Sequence, residues 1–364
     1  MAIQISASSS HQQTIDARHQ ELWDINQKVA HDNITSLLRD LGFSVTPHAH
    51  GLETSFTAEY GSGGRLVAFN AEYDALPRIG HACGHNLITM MSIAAFLGLK
   101  IINAGGFDGV DACLMTHPGP PDECAGFTGD ACMPTLANHK STVRFNGMAV
   151  NALDAMVLGY NGISVLRQQI HPSDRVHCVV SDGETRPNVI TGAAASLDCY
   201  VRSPTLDSAN ELLTRVRRCF DGAAIQTGCK ADFTMVNKYV DLRPNPTMCT
   251  AYADAMQSLG FKVKCDLDSK GVPGSTDQGN VSYECPAFQA YVVIPAEPGR
   301  KNHTPGFTAT VATREAHDLC IAVAKSMALV GWRVLADEDM AAKVKHDFEQ
   351  DKKRRGSGID HHRC

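Results

Sequence analysis

The sequence predicts an α/β protein with a smaller α+β domain of ferredoxin type inserted into it. Three observations lead there. Segments of helix period and strand period alternate over residues 20–117. From about residue 140 the order becomes strand, helix, strand, strand, helix, strand, and after "RPNP" (243–246) the α/β alternation returns. The chain therefore reads as 1–139, the first part of the larger domain; 140–242, the insert; 243–350, the second part; and 351–364, a polar tail.

Taken in order, residues 20–42 place Leu22, Ile25, Val29, Ile34, Leu37, Leu38 and Leu41 at helical spacing and stop at Gly42. "FSVTPH" (43–48), "ETSFTAEY" (53–60) and "RLVAFNAEY" (65–73) read as strands, the last two parted by "GSGG". A polar loop then leads into the apolar run "LITMMSIAAFLGL" (87–99), too short to span a bilayer and read as a buried helix. The strand "GVDACLMTH" (109–117) ends in "PGPP". Strands at 142–146, 174–181, 193–202 and 230–236, with helices at 150–168 and 205–221, make up the insert. A helix at 246–259, a strand at 287–294 and a long helix from about 311 complete the larger domain.

Composition narrows the function. With 364 residues, 43% hydrophobic, the chain can bury two cores. A net charge of −6 gives no general attraction for nucleic acid or an anionic membrane, and "KKRR" (352–355) reads as a solvated tail. Thirteen cysteines form no CxxC pair, and "MAIQISASSSHQQ" has neither a basic start nor an apolar core. The expectation is a cytoplasmic protein with reduced, mostly buried thiols.

The chemistry concentrates in "EYDALPRIGHACGHNL" (72–87). Cys83 and His85 stand two apart across Gly84, in a loop feeding a helix. A loop lets such side chains converge on one ion, and the helix N-terminus favours a thiolate. Thiolate and imidazole suit zinc or a similar metal, with His81 as a competing ligand. Further ligands must come from elsewhere: His117 ends a strand and His303 lies in the loop "NHTPGF". Each of these alone also reads as an ordinary loop or cap histidine. Asp74 reads either as a turn cap before Pro77 or as a carboxylate that orients or binds a metal; Glu72 is the other acid of the stretch. A rival reading makes Cys83 a nucleophile with His117 as its base, and sensitivity to a chelator separates the two.

The stretch "AEYDALPRIGHACGHNL" resembles the signature of the zinc amidohydrolases of metallopeptidase family twenty, closest to the p-aminobenzoyl-glutamate hydrolase and amidohydrolase branch. "GVDACLMTHPGPPD" (109–122), "NALDAMVLGYNGISVLRQQI" (151–170), "RPNVITGAAASLDCYVR" (186–202), "GSTDQGNVS" (274–282) and "NHTPGF" (302–307) continue the resemblance over most of residues 15–350. It implies a zinc-peptidase-like catalytic domain with an inserted lid, dimeric through that lid. It implies hydrolysis of an amide bond next to a free carboxylate, in an N-acyl amino acid, a dipeptide or an aryl-amide of an amino acid. By position, Cys83, His85, His117 and His303 match metal ligands, Asp74 a catalytic carboxylate, and Asn188 and Arg202 substrate-binding residues. The cofactor implied is a pair of divalent ions, zinc or manganese, that activate a bridging water.

The resemblance is broken in three places. Relatives carry a further strand and a "PAEE"-like turn after the helix, supplying a general-base glutamate and a metal ligand. Here "AFLGLK" runs almost directly into "IINAGGFDGVD". Glu297 of "PAEPG" lies in the wrong block to inherit the role, and Glu123 is a substitute by position alone. "FNGMAVNALD" (145–154) lacks the small-residue and histidine loop, and "NQKVAHDN" (26–33) runs through the place of an insert. Either the sheet closes up differently or the chain is an alternative or incomplete gene product. The alternative function is a catalytically degenerate member acting as a structural or dimerising protein.

Overall fold

The computed structural model describes residues 2–8, 17–76, 78–100, 110–121, 124, 126–147, 150–181 and 194–356. They form two compact units. One comprises Met1–Met133, Arg243–Ser269 and Val281–Lys353, the other Pro134–Leu242, Lys270–Asn280 and Arg354–Cys364.

The first unit is built on an eight-stranded mixed sheet. Its strands are β1 (Ala2–Ser8), β2 (Ser44–Pro47), β3 (Phe56–Tyr60), β4 (Leu66–Glu72), β5 (Val110–Gly119), β6 (Gly129–Asp130), β11 (Val263–Lys264) and β12 (Ala287–Val293), in the spatial order β11-β6-β12-β5-β4-β1-β3-β2. The parallel run β12-β5-β4-β1 is its centre. Every residue of β12 is buried, as expected for a parallel strand covered on both faces. Helix α1 spans Ala17–Asp40, α2 His85–Lys100, α5 Pro246–Ser258, α8 Arg314–Ala336 and α9 Glu338–Gly356. The α8 helix is long and apolar enough to cross a membrane by length and composition, and most of its apolar stretch is buried in this unit's core. Two hydroxyls of α2 fasten it to β4: Thr89 Oγ1 donates to the Glu72 carbonyl (2.5 Å) and Ser92 Oγ to that of Asn70 (2.6 Å).

The second unit runs β7 (Ala137–Asn146), α3 (Ala152–Leu166), β8 (Arg175–Val180), β9 (Ala194–Ser203), α4 (Leu206–Thr227), β10 (Lys230–Tyr239). Its four antiparallel strands lie in the order β10-β7-β9-β8, the split βαβ arrangement of ferredoxin-like domains. One face of the sheet is apolar and packs on the helices: Val143, Phe145, Leu197 and Val201 cluster with Ala155, Met156, Val216 and Phe220. Thr205 and Ser208 form a capping box at the start of α4, and Gly228 ends it in the left-handed region.

Beside β4 the sheet is closed by β1, which pairs parallel with β4 and antiparallel with β3. Two sequence expectations are corrected. The thiols are not all reduced: Cys178 and Cys199 face each other across β8 and β9 and form a disulfide. The basic run Lys352–Arg355 continues α9 instead of trailing as a tail. That helix starts on an Asp337 cap to the Met340 N–H, and Asp347 and Asp351 hold it to Thr247 and Arg243.

Candidate metal centre

The site is made where the polar loop between β4 and α2 meets the end of β5 and the loop before α7 (Pro305–Thr310). Gly80 and Gly84 take left-handed backbone there, at φ +66° and +82°. The Gly84 turn throws Cys83 and His85 toward one side, and hydrogen bonds from the Leu87 and Ile88 N–H groups to its carbonyl start α2. His117 enters near the end of β5. His303 is brought in by its own N–H donating to the Ala82 carbonyl (2.8 Å), and its backbone is held at φ +65°. A non-glycine residue held in that region is a strained position of the kind that clusters at functional sites.

Ligand atoms of Cys83, His85 and His117 lie within 4.8 Å of one another. The Cys83 Sγ is 3.5 Å from His117 Nε2. A sulfur about 2.3 Å and a nitrogen about 2.1 Å from one tetrahedral ion stand about 3.6 Å apart, so this pair already has ligand spacing. Each ring is oriented from behind. His117 Nδ1 donates to the Pro118 carbonyl (2.8 Å) and His85 Nδ1 to the Asp74 carboxylate (2.6 Å), so the Nε2 of each ring faces the other donors, Cys83 for His117 and Glu72 for His85. Asp74 is buried, so among the expected site residues it is the group that positions His85.

The electrostatics suit a cation. Burial opposes ionisation of the Cys83 thiol, but the charge of His117 and hydrogen bonds from His117, His303 and His85 outweigh it and hold the thiol well below its ordinary range. Burial likewise opposes a charged His85, yet Glu72 and Asp74 reverse that and stabilise positive charge on the ring. The hydrogen bond to Cys83 raises His303 despite partial burial. A thiolate with three imidazoles and a carboxylate is a donor set for a transition-metal dication.

His81 falls in neither candidate cluster, and burial lowers its pKa. Glu297 is exposed and paired with Arg300. Asn188 and Glu123 lie outside the described residues. Arg202, in the second unit, is half-buried over the Tyr200 ring (5.9 Å to its centroid) and donates to the Pro273 carbonyl (3.4 Å). Burial lowers its pKa, and its Nε has no hydrogen-bond partner among the described residues. The residue that sequence reasoning noted without assigning is Glu72. It stands two residues before Asp74, and the alternation at the end of β4 was the available signal.

No family model matches the chain. A curated relative, the Xaa-Arg dipeptidase of Mus musculus, is 33% identical over 356 residues, covering 84% of this chain and 80% of that one. A p-aminobenzoyl-glutamate hydrolase chain of Escherichia coli is 26% identical over 301 residues, covering 67% and 60%. Among solved structures, a putative aminohydrolase of Staphylococcus aureus shares the fold with a TM-score of 0.61 at 17% identity, over 87% of this chain and 97% of that one. A Bacillus subtilis dinuclear metal-binding peptidase does so with a TM-score of 0.58 at 19% identity, over 88% and 99%. With the dipeptidase alignment spanning most of both chains, this protein belongs to metallopeptidase family twenty, the metal-dependent amidohydrolases and peptidases.

Proposed function

We propose that the chain hydrolyses an amide bond adjacent to a free carboxylate, in a dipeptide, an N-acyl amino acid or an aryl-amide of an amino acid. The observation that carries this reading is the grouping of Cys83, His85 and His117, whose ligand atoms lie within 4.8 Å of one another, with His303 hydrogen-bonded to Cys83. A divalent zinc or manganese pair bound there would supply Lewis acidity and an activated water. The chain's own residues do the rest. Asp74 fixes the His85 tautomer, and Pro118 fixes that of His117. Arg202 is the group assigned to the substrate carboxylate, because a guanidinium offers a two-pronged donor to it and the Arg202 Nε has no hydrogen-bond partner among the described residues. The relatives' names supply the substrate classes to try first: a dipeptide ending in arginine and p-aminobenzoyl-glutamate.

A homodimer through the second unit belongs to the same proposal. Leu153, Val157, Tyr160 and Val165 are exposed on α3, as are Val179 and Val180 on the edge strand β8. The degenerate alternative rests on one sequence observation: Asp108 is the sole acidic residue between His85 and Val110. The deciding experiment counts metal in the purified chain and assays a dipeptide and acyl-amino-acid panel with and without chelator. Two ions and chelator-sensitive turnover establish the enzyme. A chain without metal or turnover overturns it, and turnover indifferent to chelator restores Cys83 as a nucleophile.

A further inference from the structure

We propose that Glu72 is itself a metal ligand, supplying with His85 the second ion position of the centre in place of the acidic pair absent after α2. This rests on the metal centre proposed above and adds one residue to it. The Glu72 Oε2 lies 3.3 Å from His85 Nε2, the ring nitrogen that Asp74 leaves unclaimed. An oxygen and a nitrogen each about 2.1 Å from one tetrahedral ion stand about 3.4 Å apart, so the observed spacing is that of two ligands. The centre thus has two half-sites, Cys83 with His117 and Glu72 with His85, and all of Glu72, Asp74 and His85 lie within 4.8 Å of one another.

The position is also preorganised. Glu72 is the last residue of β4, its carbonyl accepts from Thr89 Oγ1 of α2, and its side chain is 13% exposed. A mostly buried carboxylate oxygen and a ring nitrogen held at that spacing present two donor atoms to one point. Asp74 plays a different part: its carboxylate is on Nδ1, behind the ring.

The test measures metal uptake and the spectrum of the cobalt-substituted full chain. The wild type is expected to take two ions. Glu72→Ala should lose one of them, with at least about a 100-fold fall in that site's affinity, beyond the roughly 10–100-fold that removal of a supporting residue causes. The cobalt–thiolate absorption from Cys83 should survive in that variant and vanish in Cys83→Ser, which also shows that the Glu72 variant is folded. Glu72→Asp should recover part of the second ion's affinity. Wild-type uptake by Glu72→Ala overturns the proposal, and so does loss of the thiolate band together with the second ion. A wild-type chain that takes no metal overturns the centre itself, a result distinct from either.

Discussion

Replacing Gly84 by alanine puts two separable loads on the site. Gly84 stands between Cys83 and His85 at φ +82°, and a Cβ added there would come 2.5 Å from Pro118 Cγ. Left-handed backbone costs a side-chain-bearing residue about 1–2 kcal/mol. Overpacking against a rigid ring adds about 1–3 kcal/mol, since Pro118 follows His117 in the strand and cannot swing aside. The expected loss is about 2–5 kcal/mol. Gly51 is the control: it has φ +77°, and nothing lies within 4 Å of its added Cβ, so Gly51→Ala should cost only the backbone part. Both tryptophans, Trp23 and Trp332, belong to the first unit, so their fluorescence during urea unfolding follows that unit. Metal affinity is the second readout. If Pro118 gives way, His117 shifts against Cys83, and affinity should fall about 10–100-fold in Gly84→Ala and stay unchanged in Gly51→Ala. Equal unfolding midpoints and equal metal content in the two variants would refute the argument that the Gly84 turn sets the ligand geometry.

Cys83→Ser should lower metal affinity by about 100-fold or more, more than loss of a supporting residue, read by metal analysis after dialysis; unchanged content would remove Cys83 from the ligand set. Arg243 is 4% exposed and bonded to Asp351, so Arg243→Ala breaks a mostly buried ion pair and should cost about 3–5 kcal/mol in urea unfolding. A loss under 1 kcal/mol would show the pair to be solvated. Burial, and then the charge of Lys238, push His139 below its ordinary pKa. The unfolded chain therefore binds the extra proton first, and stability is full above about pH 6.5 and falls as pH drops toward the folded-state value. His139→Gln should flatten that slope in calorimetric scans, His81 and His177 contributing to what remains; a wild-type slope in the variant would rule His139 out.

What could be read from the sequence was what periodicity and loop chemistry encode locally. The four strands and two helices of the second unit follow from alternation and helical spacing, and β9 shows it residue by residue in its burial. Cys83 and His85 were legible because the Gly84 turn makes them neighbours within four residues of chain. The partner of β4 was not. β1 has only the short alternation Ile3, Ile5, Ala7 to announce it, and its pairing with β3 and β4 bridges about fifty to sixty-five residues. The Cys178–Cys199 bond was hidden for the same reason, since only the register of β8 against β9 brings those two residues opposite each other. Glu72 was visible as an acid but not as a ligand. Its role depends on which nitrogen of His85 Asp74 occupies, and that is a fact of geometry.

The same distinction bears on catalysis. The ligand positions come from β4, the loop into α2, β5 and the loop before α7, none of which lies in the segment that relatives carry after α2. The proposed ligands therefore lie outside that segment, with Glu72 standing in for the metal ligand that relatives carry there, whereas nothing among them replaces the proton transfers assigned to its glutamate. Loss of a general base costs about 10²–10⁴ in rate and leaves metal polarisation in place. A centre with its ligands and without its base should bind substrate close to normally and turn it over slowly. Asp74 cannot make up the difference while its carboxylate is held on His85, because a proton taken there would release the ring it orients. If Glu72 binds an ion, it is equally unavailable as a base. The slow step is then proton delivery to the leaving amine, which neither Asp74 nor Glu72 supplies. Turnover in this chain should accordingly respond to the leaving group's basicity: an aryl-amine, which needs less protonation to depart, should be released faster relative to an alkyl amine than the metal's polarising power alone would give.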